Sequence, residues 1–395
     1  MGLAGPLLPV TSDVRESFAS AVAQTWVFEP LVSFDERGSL VPILAAQVEP
    51  GGKGKLRLRL RPATFSDGTP LTEADVIRSL ASNHLRAVHA GDALEVDAED
   101  SVTPLDVHLV RTLISRSTPG GEVGTGPFAV VSQSDAKIVL KRRVPAADRI
   151  NEVVLLGYAS EREAFVRTLR GDANLVRLPE PRNLEFFEGV PRLRVIRAKG
   201  PAVHALGFNQ RRLGREERTA LVRALLPGLI SSAAYGEACV PVLSSATFAP
   251  LPPGRRLDII VPRALEDKLA LAVRRGLGQR GGEVRALDVS AYFEALRTGD
   301  YDLAIGRPLV WPPSSAGMNW RTGSPSNLLG YSNPRVDAAL DRADWAGAQR
   351  ELEADPPAVF FCTQQRLAVV DARVMDARLG PYGVFETLPE WRVSP

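Results

Sequence analysis

Leucine and arginine alternate through "KLRLRLRPATF" (residues 55–65), and a period of two predicts a strand with one wet face. Asp67-Gly68 then supplies a turn, because glycine takes a positive φ without steric cost. Thr72 stands where an N-cap belongs for "EADVIRSL", and Glu73 and Asp75 suit the positive end of the helix dipole. The twelve residues "FSDGTPLTEADV" (65–76) therefore read as strand end, turn and capped helix.

Two later stretches echo each other. "SEREAFVRTLRGDANLVRL" (160–178) and "SAYFEALRTGDYDLAIG" (290–306) each read as a Ser-capped helix, a Gly-Asp break and a short apolar strand. Leu169 and Leu296 fall on the helix face to be buried, and Gly171 and Gly299 sit where a left-handed C-cap is wanted. The second copy extends a run of strand "LDIIV" (257–261), a helix faced by Leu265, Leu269, Val273 and Leu277, and strand "VRALDV" (284–289). Such alternation predicts an α/β chain with parallel or mixed sheets, here in two similar lobes. "REERTALVRALLPGL" (215–229) reads as one amphipathic helix ending near Pro227-Gly228. "SNPRVDAALDRAD" (332–344) opens with Asn333 as cap and Pro334 at the first helical position. Between them, residues 306–334 form a long Pro-, Gly- and Ser-rich loop that carries Trp311, Trp320 and Tyr331. A loop of that length is functional or disordered, and its aromatics argue for the first.

At 395 residues the chain suggests two or three domains, and 45% hydrophobic with 24% charged residues is a globular composition. A net charge of +2 makes no basic field, so neither nucleic acid nor an anionic membrane is an implied partner. No apolar run approaches the roughly 18 residues of a membrane helix. "MGLAGPLLPVTSD" lacks a basic n-region and an apolar h-region, which leaves a cytoplasmic protein or one whose leader is absent from this sequence. Cys239 and Cys362 could pair, although two buried free thiols are the simpler reading. Two cysteines and four unclustered histidines (His84, His89, His108, His204) offer no metal site, and no cofactor is implied.

Motifs for catalysis are not met. "GLGQRG" (276–281) matches a dinucleotide fingerprint by letter but closes a helix instead of opening one, so it cannot hold phosphate at a helix N-terminus. "GTGPFA" (124–129) fails on the same ground. No P-loop, H-E-x-x-H or G-x-S-x-G is present, and nothing pairs a nucleophile with a base. The chain reads as a protein that is not an enzyme.

The order of landmarks resembles the family 5 extracellular solute-binding proteins of ABC transporters, the oligopeptide-, dipeptide- and nickel-binding group. "VFEPLVSFDERGSLVPILA" (27–45) is similar to that family's opening strand, and "LRLRPATFSDGTPLTEADVIRSL" (58–80) to its signature segment. "GTGPFAV", "LRGDANLV" with "LRTGDYDLAI", "HALGFNQ" (204–210), "GYSNPRVDAALDRA" and "ADPPAVFFCTQQRLAVV" follow in the family's order, across nearly the whole chain. The resemblance implies a two-lobed periplasmic-binding-protein fold (type II, cluster C-like) with mixed sheets and a ligand cleft between lobes. Residues 1–210 with 374–395 would form the first lobe, 36–123 its small subdomain, and 211–373 the second lobe. It further implies a monomeric receptor, periplasmic or at the cell surface. Such a receptor captures a small molecule by hinge closure and delivers it to a membrane permease.

Two departures bear on the ligand. The subdomain is short for the family, and residues 303–336 contain no Asp or Glu, where peptide-binding members place an Asp against the peptide ammonium. Arg307, Trp311, Trp320 and Arg321 stand there instead, which suits an anionic, polyhydroxylated or hydrophobic compound better than an ordinary peptide. Candidate ligand contacts are Trp26, Phe28, His204, Asn209, Arg307, Trp311, Trp320 and Arg321. Trp26 has core packing as its plain alternative, His204 and Asn209 structural hydrogen bonds, and the two arginines surface ion pairs. Two further readings remain: a cytoplasmic ligand sensor on the same fold, and a peptide-binding member with its anchor moved.

Overall fold

Strand β1 (Gly2–Ala4) opens the chain and lies parallel to two strands that come more than 140 residues later. The computed structural model describes residues 1–13, 18–35, 38–52, 54–98, 104–178, 181–236, 239–242, 247–263, 268–308, 314–380 and 385–394. The chain divides into two compact units, Met1–Ala198 with Arg366–Pro395, and Lys199–Gln365.

In the first unit, helix α1 (Phe18–Val27) precedes a small sheet. The sheet is built from β2 (Ala45–Pro50), β3 (Leu56–Leu60) and, after helix α2 (Glu73–Ala81), β4 (Leu85–Ala90) and β5 (Ala93–Ala98). The spatial order is β2–β3–β5–β4. Alternation along β3 does what its pattern predicts: Leu58 is fully buried with Val76, Leu80 and Leu94, while the Arg57 guanidinium reaches out to the Ala90 carbonyl.

The twelve-residue motif is architecture. Asp67 accepts from the Thr69 backbone N–H (2.9 Å) and hydroxyl (2.6 Å), and Gly68 has φ +85°. Thr72 and Asp75 form a reciprocal capping box. Arg116 donates to the Asp75 carboxylate at 3.0 Å and lies over the Phe65 ring, 4.5 Å from its centroid. Burial alone would raise the Asp75 carboxyl, but the hydrogen bonds from Arg116 and Thr72 outweigh it and hold the group well below the usual carboxylate range. Arg116 also donates to the Thr69 hydroxyl at 2.6 Å, so one guanidinium ties the turn to the cap.

The larger sheet of the first unit takes β6 (Phe128–Gln133), β7 (Lys137–Arg142), β8 (Glu152–Tyr158) and, after helix α3 (Glu161–Arg170), β9 (Leu175–Leu178), in the order β6–β7–β8–β1–β9. Ser160 caps α3 and Gly171 ends it with φ +92°. The long strand β10 (Leu193–Phe208) carries the chain into the second unit.

There, α4 (Arg215–Ala224) and α5 (Pro227–Tyr235) replace the single helix expected over 215–229. Pro227 lacks an N–H and fits the first turn of a new helix, so it opens α5 where it was expected to close its predecessor. The predicted alternation follows as β11 (Leu257–Pro262), α6 (Lys268–Gly276), β12 (Gly281–Leu287), α7 (Val289–Thr298) and β13 (Leu303–Gly306). Strand β11 is parallel to both β12 and β13, and β13 pairs antiparallel with β10. The mixed sheet is as expected. Leu265, assigned to the α6 face, lies outside the described residues. The cap of α7 is Asp288, not Ser290: its carboxylate accepts from the Ala291 N–H at 2.8 Å, and the helix starts two residues earlier than the serine suggested. Part of the long loop is helical, α8 (Ser315–Trp320), and Asn333 caps α9 (Pro334–Asp341) as read. Strand β14 (Ala358–Asp371) returns to the first unit, where it pairs with β9.

The cysteines correct a further expectation. Cys239 and Cys362 are not free thiols but a buried disulfide, with Cα atoms 5.5 Å apart, joining the short strand Cys239–Pro241 to β14. A separation of 123 residues hid what strand pairing brings together. No helix among the described residues is long and apolar enough to cross a membrane.

Candidate ligand-binding site

Strands β10 and β13 differ sharply on their two faces. Their register pairs Ala205 with Gly306 and Gly207 with Ala304, and between these Leu206 with Ile305. Side chains alternate across a strand, so one face carries Leu206, Phe208, Leu303 and Ile305, all in the main core of the unit. The other face carries only alanine and glycine.

Over that bare face lies a cavity of about 310 Å³. Helix α7 forms one wall with Tyr292 and Leu296, and α8 contributes Trp320. Leu329 closes part of the floor: a Cβ on Gly207 would come within 2.8 Å of its methyls, so glycine is what lets it lie flat. Above Gly306 a Cβ would meet only the Tyr292 hydroxyl, at 3.3 Å. That hydroxyl donates to the Ile305 carbonyl at 2.8 Å, and burial pushes the phenol well above its ordinary range. Trp320, 5% exposed, is held edge-on by Tyr331 and Phe360, with ring centroids 6.3 and 5.9 Å away. Phe293 and Val289 are left in water at the mouth.

Of the residues singled out in the sequence, Arg307 and Trp320 meet at this cavity. Arg307 has no carboxylate partner among the described residues; crowding by protein lowers its pKa, and the nearby Tyr235 hydroxyl opposes that. His204 is buried, with Nδ1 3.1 Å from the Tyr235 hydroxyl and its ring 4.6 Å from the tyrosine ring. Burial, and then the charge of Arg307, lower its pKa to about 4, so the imidazole is neutral at physiological pH. Asn209 is occupied by structure: its amide donates to the Gly299 and Tyr301 carbonyls and accepts from the Arg211 N–H. Arg321 pairs with Asp341 at 2.7 Å and does not line the cavity. Trp26 and Phe28 lie in the core of the first unit with no exposed surface, the Trp26 indole donating to the Phe385 carbonyl. Their place is a packing one. Trp311 lies outside the described residues.

The walls from α7 and the loop at Leu328 and Leu329 were missed, and so was the floor. A signal existed: "VHALGF" and "LAIGR" alternate large with small at period two, which marks one face as unfilled. A second hollow of about 470 Å³ lies between α5 and α6, rimmed by exposed Leu229, Leu271 and Phe248. The first combines apolar walls with polar groups at its edge, Arg307, Asn319 and Ser326, which is the pattern of a small-molecule site. Among the described residues, no three His, Cys, Asp or Glu side chains gather as a metal ion would require.

No family model matches the chain, and no curated protein matches it. Solved structures do. The ABC transporter substrate-binding protein CtaP from Listeria monocytogenes superposes with a TM-score of 0.76 at 16% identity, over 100% of this chain and 98% of that one. The periplasmic murein tripeptide-binding protein MppA, in its unliganded open form, gives 0.79 at 16% identity over 99% and 97%. AgaA from A. tumefaciens R10, in complex with agropinic acid, gives 0.70 at 16% identity over 100% and 99%. The chain therefore has the α/β fold of the two-lobed periplasmic binding proteins, in agreement with the family resemblance of its ordered landmarks.

Proposed function

We propose that this chain is the solute-capturing receptor of an ABC importer, working outside the cytoplasm as a monomer and passing its ligand to a membrane permease. The reading is carried by the likeness of fold across essentially the full length, to proteins that bind molecules as different as a murein tripeptide and agropinic acid. The buried Cys239–Cys362 disulfide supports the location, since such bonds persist in oxidising compartments and are rare in a reducing cytosol. Closure of the two units on the ligand is the working step, and no bond in the ligand is broken. Arg307 and Trp320 supply contacts from the second unit. With no carboxylate among residues 303–336, they favour an anionic or hydrophobic compound over the ammonium of a peptide.

Native mass spectrometry of freshly purified protein should show a co-purified small molecule. Adding that molecule back to stripped protein should reduce the radius of gyration in solution scattering. No bound molecule, and no compaction with any of a broad panel of metabolites, would sink the receptor reading.

A further inference from the structure

We propose that the cavity over β10 and β13 is the seat of a flat, uncharged ring, and that the captured ligand carries such a ring. The second half of this statement rests on the receptor reading; the first does not. At about 310 Å³ the cavity is at the low end of small-molecule sites, roughly 300–1,000 Å³, and suits one or two fused rings better than a chain of residues. Its floor is a sheet surface from which nothing projects beyond a methyl group at Ala205, Ala304 and Gly306. A planar group can lie against such a floor, whereas a branched chain would leave voids.

The walls agree. Tyr292 and Phe293 meet edge-to-face with ring centroids 5.7 Å apart, and Trp320 is fixed by two further rings, so aromatic surfaces of set orientation surround the space. Phe293 and Val289 are 52% and 67% exposed at the mouth, apolar surface that an occupant would cover. Hydrogen-bonding groups are few: the Tyr292 hydroxyl donates to Ile305 and the Asn319 amide to the Ser315 carbonyl, which leaves Arg307 and Ser326 for an occupant. Two such groups replace only a small part of the water a sugar would lose, which favours a ring with few hydroxyls over the polyhydroxylated class. Arg307 stands at the edge, where it meets whatever polar substituent the ring carries.

Indole is the probe. Calorimetry and two-dimensional NMR should show saturable binding to the wild-type protein. In Gly306→Val the new side chain enters the space beneath Tyr292. Gly306 does not have a positive φ, so the strand accepts valine, and affinity should fall at least tenfold while the melting temperature stays within a few degrees. Gly306→Ala should fall between the two, and it serves if the valine variant does not fold. Anomalous scattering from soaked 5-bromoindole should place bromine over Gly306. Absence of saturable binding, equal binding by Gly306→Val, or bromine elsewhere overturns the seat. If the protein compacts around a natural ligand that has no ring, the ligand class is wrong and the receptor reading stands. If nothing compacts the protein yet indole still binds over Gly306, the receptor reading fails and the seat stands.

Discussion

The two strand–helix–strand echoes make a natural pair. In the first unit α3 packs on β9 and β14, whose register sets Val176 against Val369 and Leu178 against Leu367. With Phe165 and Phe187 edge-on at 5.6 Å, these fill the space under the helix. In the second unit α7 packs on β11 and β12 and shares a buried cluster with Ile260 and Ala304, while the equivalent strand pairs of β13 and β10 are Ala205 with Gly306 and Gly207 with Ala304. Both helices end in a left-handed glycine, Gly171 at φ +92° and Gly299 at φ +78°. One local design thus gives a solid interior and a hollow one, and the size of four strand residues decides which. The hollow at the second copy opens to water at Phe293 and Val289, apolar surface that an occupant would cover.

That contrast can be strained experimentally. The largest effect should come from the disulfide, which is confined to the hollow unit. Cys362→Ser should destabilise it by about 3 to 5 kcal/mol, because the bond closes a long loop in the unfolded chain. Urea unfolding with and without reductant should move one transition while the other stays; equal movement of both would refute unit-specific stapling. Next, Leu178→Ala in the solid copy should cost about 3 kcal/mol, whereas Gly306→Ala in the hollow one should be close to neutral, since the added methyl meets only the Tyr292 hydroxyl. Equal losses on chemical denaturation would mean that the hollow is not there in solution.

Acid should act through His204. Its folded pKa of about 4 is below an unfolded value near 6.5, so the neutral form is favoured by folding. That contribution is complete above pH 6.5 and is lost as pH falls towards 4, for a total of roughly 3 kcal/mol. Melting curves across this window should show the loss, and His204→Gln should flatten it; an unchanged slope in the variant would assign the effect elsewhere. The smallest test compares the caps. Ser160→Ala and Asp288→Ala should each cost about 1 kcal/mol, since each removes an acceptor for an N-terminal N–H of its helix.

Much of this frame was legible in the chain. The Thr72 cap, the Gly171 and Gly299 helix ends and the β11–α6–β12–α7–β13 alternation depend on residues a few positions apart, and local geometry acts at that range. Pro227 was misread because a proline that ends one helix and one that starts the next look alike until the partner helix is seen. Asp288 falls within the strand expected over 284–289, so Ser290 reads as the cap; the strand ends at Leu287 and frees the aspartate to cap. Of the proposed ligand contacts, Trp26 and Phe28 turned inward because their neighbours in space include Phe385, over 350 residues away.

The sequence by itself determined the β11–α6–β12–α7–β13 alternation, the Thr72 and Asn333 caps and the likeness to a known scaffold, since periodicity, capping and turn chemistry are written in short range. Only the tertiary structure decided that Cys239 meets Cys362, that Arg321 faces Asp341, and that four small residues from two distant strands share one bare face beneath Tyr292. Those outcomes follow from strand register and packing. Both are set by burying the whole set of apolar faces at once, which no short window of residues contains.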